Sequence, residues 1–382
     1  MLGLTNIIRY TPPSPKTYII KIDQNNPDPL ACCTYDGDAV GMTKGSSDWD
    51  TIFGYKPCIM RDGVVQGYLN PNDFTKYEDG TTAPITNINY DVMIEFPRMG
   101  LDISTDSNKI ITIKLTNAQN DSNFQYLAHK RGNVQKDYFY LGAYSATGYF
   151  EGSSSSGDDV VLVSNSRSVP LVDRSITDFI NYAHNRGSGY EIMAFYQWTY
   201  IQALYVMKYG NLNSQAALGK GYTYGSAEQN TGATDDKGMC YGNPNISTDR
   251  VKLFGLEDLW GNVSQFISGL YSDSNKNLLT TTDNFGVSTS TDAWEYNVSS
   301  GVTDTGGYMS ESQGTNNSGF VLKSSSATYH TYYSDGALLS ASSFPRVGGE
   351  WDDSDYAGLF YFYVNSPAPK SYTDVGSRLM YL

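Results

Sequence analysis

Two stretches of helical spacing, set among many short extended pieces, constrain the fold of this chain most. The first runs from about Ser175 to Asn185. Ile176, Phe179, Ile180 and Ala183 form an apolar stripe, Ser175 and Asp178 have the spacing of a capping box, and Gly187 ends the run. The second runs from about Ala194 to Tyr209, with Trp198, Ile201, Tyr205 and Lys208 at helical spacing and Gly210 as its stop. Ahead of them, Tyr18–Ile22, Val64–Leu69, Val92–Pro97, Ile110–Leu115 and Tyr138–Tyr144 read as strands. In Ile110–Leu115 the residues Ile111, Ile113 and Leu115 share one face. Turns are signalled at Asn25-Asn26-Pro27, Asp36-Gly37-Asp38 and Asn70-Pro71-Asn72-Asp73, and Ser153–Asp159 reads as a flexible loop. After Gly210 the chain turns to Gly, Ser, Asn and Thr with short strands. This pattern predicts an α+β chain with few helices.

Residues 1–80 read as a small β-rich module and 76–90, with Asp79-Gly80-Thr81-Thr82-Ala83-Pro84, as a linker. A second unit spans 91–382. There is no internal repeat and no heptad run, so a coiled-coil stalk is not encoded.

With 382 residues, 40% of them hydrophobic, the chain can bury real cores. Its formal charge of −14 argues against nucleic acid and anionic membranes as partners. No apolar run approaches the roughly 20 residues of a membrane helix, so no membrane insertion is expected. The first residues lack a basic region followed by an apolar run, so no signal peptide is expected. Cys32, Cys33, Cys58 and Cys240 lack the spacing of a disulfide framework or a zinc site and read as free thiols. His129, His184 and His330 read as structural. Glu257-Asp258 is either an acid–base pair or a turn that positions a strand, and the turn is the reading adopted. Asp352, Asp353 and Asp355 could contribute to a calcium site, but such a site needs about 6–8 oxygens and the full loop pattern is missing. No metal, no cofactor and no enzymatic activity are predicted.

The C-terminal stretch holds the functional signal. Arg346-Val347-Gly348-Gly349-Glu350-Trp351 leads into Asp352-Asp353-Ser354-Asp355-Tyr356, then Ala357–Asn365, and closes on Gly376-Ser377-Arg378. Tyr, Asp, Ser and Asn between glycine-marked anchors are the chemistry of a recognition surface.

Gly255-Leu256-Glu257-Asp258-Leu259-Trp260-Gly261-Asn262-Val263 resembles an element of formylglycine-generating-enzyme-like proteins with the C-type lectin fold. Arg346…Gly348-Gly349-x-Trp351 and Gly376-x-Arg378 match the same group. The resemblance covers about 91–382 and implies a C-type lectin fold with two helices and short antiparallel strands. The C-terminal segment is similar to the variable region of ligand-binding proteins diversified by retroelements, phage tropism determinants among them. In that family, mutagenic reverse transcription at adenines cannot create Lys, Glu, Gln, Met or Trp, and none of these occurs from Asp352 to Pro369. The chain departs from the formylglycine enzymes in having no cysteine after Cys240, and from their iron-dependent relatives in having no histidine cluster. The calcium-binding triplets of sugar-binding C-type lectins are also missing.

The resemblance implies a receptor-binding protein on a phage tail fibre. It would be made in the bacterial cytosol, recognise a host-surface protein or glycan, and form a homo-oligomer, possible as a trimer. The 1–80 module would then serve fibre attachment or oligomerisation. The alternatives are a structural tail or baseplate protein and an enzyme of the formylglycine superfamily. The variable positions map onto Asp352, Asp353, Asp355, Tyr356, Tyr361, Tyr363, Asn365, Tyr372 and Asp374. Gly261, Asn262, Gly348, Gly349, Trp351, Gly376 and Arg378 are expected to form the scaffold, with Trp351 filling core and Arg378 pairing with buried acceptors. If Leu359–Asn365 is a strand, Phe360, Phe362 and Val364 face the core, while Leu359, Tyr361, Tyr363 and Asn365 face water.

Overall fold

The computed structural model describes residues 14–150, 159–302 and 306–382. Most of the loop expected at Ser153–Asp159 lies outside these. The described chain is mostly β-sheet with few helices and is compatible with a C-type-lectin-like fold. Both expected helices form. Ile176–Arg186 carries the capping box: Ser175 Oγ accepts from Asp178 N, and an Asp178 carboxylate oxygen accepts from Ser175 N. Phe195–Tyr209 ends at Gly210 in the left-handed region. Burial in this second helix extends beyond Trp198, Ile201, Tyr205 and Lys208, because every residue from Phe195 to Lys208 is buried. It is an internal helix, apolar nearly all round. Lys208, near its end, is neutralised by Asp50.

The division at 80–91 does not hold. A four-stranded sheet runs Cys33–Gly37, Thr17–Asp23, Ile110–Thr116, Gly100–Thr105. A seven-stranded sheet runs Tyr190–Ile192, Leu379–Tyr381, Tyr138–Gly142, Asp91–Pro97, Lys56–Arg61, Val64–Asn70, Asp73–Tyr77. Strands from both sides of the expected boundary share hydrogen bonds in each sheet. Ile20 sits opposite Ile113, and Cys58 opposite Met93. The expected linker also contributes: Ala83 and Ile85 are buried in the main core. Within the described residues, then, the first 80 positions are structural parts of the sheets that the later ones complete.

A second seven-stranded sheet carries the C-terminal stretch. Its order is Leu322–Ser325, Gly307–Ser312, Gly336–Leu339, Gly358–Ser366, Phe344–Gly348, Ser264–Phe266, Val375–Ser377. Its pairs are antiparallel except two. Gly336–Leu339 runs parallel to Gly358–Ser366, and Ser264–Phe266 parallel to Val375–Ser377. The strand Gly358–Ser366 is therefore central, held on both edges. Among the described residues no helix is long and apolar enough to cross a membrane.

Candidate ligand-binding face

The frame comes first. The Gly255–Val263 element is buried throughout. Glu257 accepts from Gly232 N, Thr234 N and Thr234 Oγ1 at 2.6–2.8 Å. Arg250 bridges Glu257 and Asp258, and Asn262 Nδ2 donates to Asp258 at 2.9 Å. All four carboxylate oxygens are thus occupied by internal donors. Glu257 and Asp258 lock a turn rather than face a substrate.

Arg378 is fully buried and donates to Gln265 Oε1 at 2.9 Å and to the carbonyls of Gly142, Glu257 and Asp258. Burial holds its pKa down to about 10. Gly261, Gly349 and Gly376 are buried in the same frame. Gly348 has φ 89°, and a Cβ there would stand 2.4 Å from the Leu259 carbonyl oxygen.

Trp351 is not core: it is only half-buried. The tryptophan that fills the interior is Trp260, 0% exposed, with its indole N–H donating to Gly219 O at 3.0 Å. Among the described residues the hydrogen bond made by Trp351 is through its backbone carbonyl, which accepts from Gly225 N.

On the strand Gly358–Ser366, Phe360 and Phe362 pack inward against Tyr205, Phe320, Tyr333 and Phe195, with ring centroids 4.9–6.2 Å apart. Gln202, on the internal helix, donates to Leu359 O at 3.0 Å and ties the strand to it. Tyr363 and Asn365, on the other side, are half-buried. Leu359 and Tyr361 share that side but are buried, Tyr361 to 1% exposure. The expectation that Tyr361 is a wet contact residue is therefore corrected.

The cause is the turn at 350–357, which is pinned to distant segments. Gln215 donates to the carbonyls of Ser354 and Ala357, and Ser354 N donates to Thr223 O. Tyr361 lies among Asp353, Arg346 and Glu350 and stacks on Tyr363 at 4.4 Å and 13°. Burial, then the charge of Asp353, pushes its hydroxyl well above the usual phenol range.

The remaining mapped positions divide. Asp353 is drawn inward: its carboxylate accepts from Glu350 N at 3.1 Å. Burial and the neighbouring Asp353 push the Glu350 carboxyl up to about 9. Asp352 stays exposed, and Asp355, half-buried, lines a separate cavity together with Lys220. The three aspartates do not converge, and among the described residues no cluster of three acidic, histidine or cysteine side chains is placed to hold a metal ion. Tyr372 and Asp374 reach Arg346, on the neighbouring strand Phe344–Gly348, rather than the strand Gly358–Ser366 itself. Arg346 lies 5.7 Å from the Tyr363 ring centroid, 5.1 Å from that of Tyr372, and 3.9 Å from Asp374 Oδ2.

Residues outside the C-terminal stretch complete the face. Tyr356, 39% exposed, stacks on Tyr308 at 4.3 Å and 15°, and Tyr308 adjoins Tyr329 at 6.3 Å. Tyr329 is 43% exposed and touches exposed His330. His330 is thus a surface group at the rim of the face, not the structural residue expected. His129 is buried with its pKa lowered to about 3 by desolvation, and His184 is bonded to Glu191 at 2.8 Å. Tyr356 and Tyr363 meet over Gly336, where a Cβ would lie 2.5 Å from one ring and 3.2 Å from the other. Tyr363, Tyr356, Tyr308 and Tyr329 follow one another in a row, and the Arg346 guanidinium links Tyr363 to Tyr372 at its end. The sequence signal for Tyr308 and Tyr329 was only their type; their place depends on which strands neighbour Gly358–Ser366.

No protein-family model and no curated protein matches the chain. Solved structures of variable proteins are similar to it. Treponema denticola variable protein 1 is 11% identical, over 79% of this chain and 98% of that one, with a TM-score of 0.31. The Major Tropism Determinant U1 variant is 12% identical, over 89% and 73%, with a TM-score of 0.30. The M1 variant is 11% identical over the same shares, with a TM-score of 0.30.

Proposed function

We propose that this chain is a receptor-binding protein whose C-terminal face is diversified by a retroelement and displayed on a C-type-lectin-like frame of the formylglycine-generating-enzyme-like type. It works on a phage tail, as a homo-oligomer, against a host-surface protein or glycan. The observation that carries this reading is the row of exposed and half-exposed tyrosines gathered around Tyr363, which stands on a central, doubly held strand. Tyrosine gives contact area with few torsions to freeze. The frame's charges are bonded internally, so the display can change at small cost. Exposed substitutions usually shift stability by less than about 0.5 kcal/mol.

The contact set is Trp351, Asp352, Asp355, Tyr356, Tyr363, Asn365, Tyr372 and Asp374, with Tyr361 and Asp353 as its supports. Multivalent display raises avidity by about 10²–10⁴ over a single face. The test is the DNA beside the coding sequence. A reverse transcriptase and an imperfect copy of the final codons, differing only at adenines, are expected; their absence overturns the diversification reading.

A further inference from the structure

At the Tyr329 end of the tyrosine row lies a cavity of about 150 Å³ that the C-terminal stretch alone does not form. Asn213 and Gln215 build its frame. Asn213 is spent on Ala216 N and Ser334 Oγ, and Gln215 on the 354–357 turn. Its other walls include Lys220, Asp355, Tyr329 and His330. Among the described residues neither the Lys220 ammonium nor the Asp355 carboxylate has a hydrogen-bond or ion-pair partner. One cation, one anion and an aromatic wall therefore face a small space with their bonding capacity unspent.

We propose that this cavity is a subsite for one neutral pyranose ring of a host-surface glycan. The proposal rests on the receptor-binding reading and narrows its ligand. The volume is below the roughly 300–1,000 Å³ of pockets for drug-sized ligands, so it takes one ring. An acidic side chain would pair with Lys220 but meet Asp355. A basic one would pair with Asp355 but meet Lys220. A polyhydroxylated ring meets both without like-charge repulsion, since its hydroxyls donate to the carboxylate and accept from the ammonium. The C–H bonds on one face of such a ring carry partial positive charge and suit the negative face of a tyrosine. Tyr329 is exposed beside the cavity, with His330 next to it. The rest of the glycan then runs along Tyr308, Tyr356 and Tyr363. Lys220, Tyr329 and His330 lie outside the diversified stretch and supply the constant part of the subsite, while Asp355 belongs to the variable positions and, with the row, sets which chain is preferred.

Saturation-transfer NMR and titration calorimetry on the full chain test this with glucose, galactose, mannose and N-acetylglucosamine as probes. Capped Gly-Arg-Gly and Gly-Glu-Gly peptides are run alongside. At least one sugar is expected to bind, with transfer strongest to the C–H protons of one ring face. Tyr329→Ala should weaken it by about tenfold, and Asp355→Asn and Lys220→Gln should each weaken it, with melting temperatures unchanged. Tyr138→Ala, at an exposed ring elsewhere on the surface, should leave binding as it is. Binding of a peptide but no sugar, of nothing, or of a sugar that ignores all three cavity variants overturns the proposal. Such a failure beside an adenine-variable DNA copy sinks the subsite alone. Sugar binding without that copy sinks the diversification reading and keeps the subsite.

Discussion

Two clusters of arginine and carboxylates, built from the same residue types, are finished to different degrees. In the first, Arg250 and Arg378 meet Glu257, Asp258 and the carbonyls around them, and the carboxylate oxygens and guanidinium nitrogens find partners inside the protein. In the second, Arg346 approaches Asp374 only to 3.9 Å, its Nε is buried without a partner, and Glu350 is pushed towards the protonated form. The first cluster is sealed in the interior; the second lies beneath the tyrosine row. Buried charge that is bonded out specifies the fold, while a buried carboxyl short of cationic partners, such as Glu350, is left to answer to pH.

The sharpest way to break this contrast is Arg378→Met. It leaves several buried acceptors without a donor, at about 1–3 kcal/mol each, so a loss of at least about 3 kcal/mol is expected in urea unfolding. An unchanged midpoint would erase the distinction. Tyr361→Ala comes next: emptying a buried ring site costs about 3–5 kcal/mol. The same change at Tyr363 should cost clearly less, because that ring is already half in water.

Glu350→Gln probes the unfinished cluster through pH. The folded-state carboxyl is raised from 4.5 to about 9. The folded protein therefore holds a proton that the unfolded chain has released, and this contribution to stability is full below 4.5 and lost as pH rises through about 9. The glutamine variant should show a flatter decline of melting temperature across that window; parallel curves would show that Glu350 does not govern it. Tyr356→Ala should move stability least, by under about 0.5 kcal/mol, while weakening adhesion to receptor-bearing cells. Unaltered adhesion would remove Tyr356 from the contact set.

Local signals were legible. The capping box at Ser175, the stops at Gly187 and Gly210, and the alternation that turns Phe360, Phe362 and Val364 inward all depend on near neighbours in sequence. What was not legible depends on distant pairing. Alternation assigns Tyr361 a side of its strand, but its cover comes from a turn anchored at 215 and 223. Trp351 and Trp260 could not be ranked by type, since only the assembled frame shows which one has walls on every side. The break expected near 80–91 failed because turn-rich composition marks a change of direction and not the end of a sheet. Thr17–Asp23 waits for Ile110–Thr116 to pair with it.

The strand Leu379–Tyr381 lies inside the large sheet, between Tyr190–Ile192 and Tyr138–Gly142. A ribosome delivers it after both of its neighbours. Until it arrives, each of those strands presents an open edge, and Leu141 and Ile192 lack their final cover. The chain is thus most exposed to mispairing before Leu379–Tyr381 takes its place, and a truncation that removes this strand should yield aggregate instead of a soluble product.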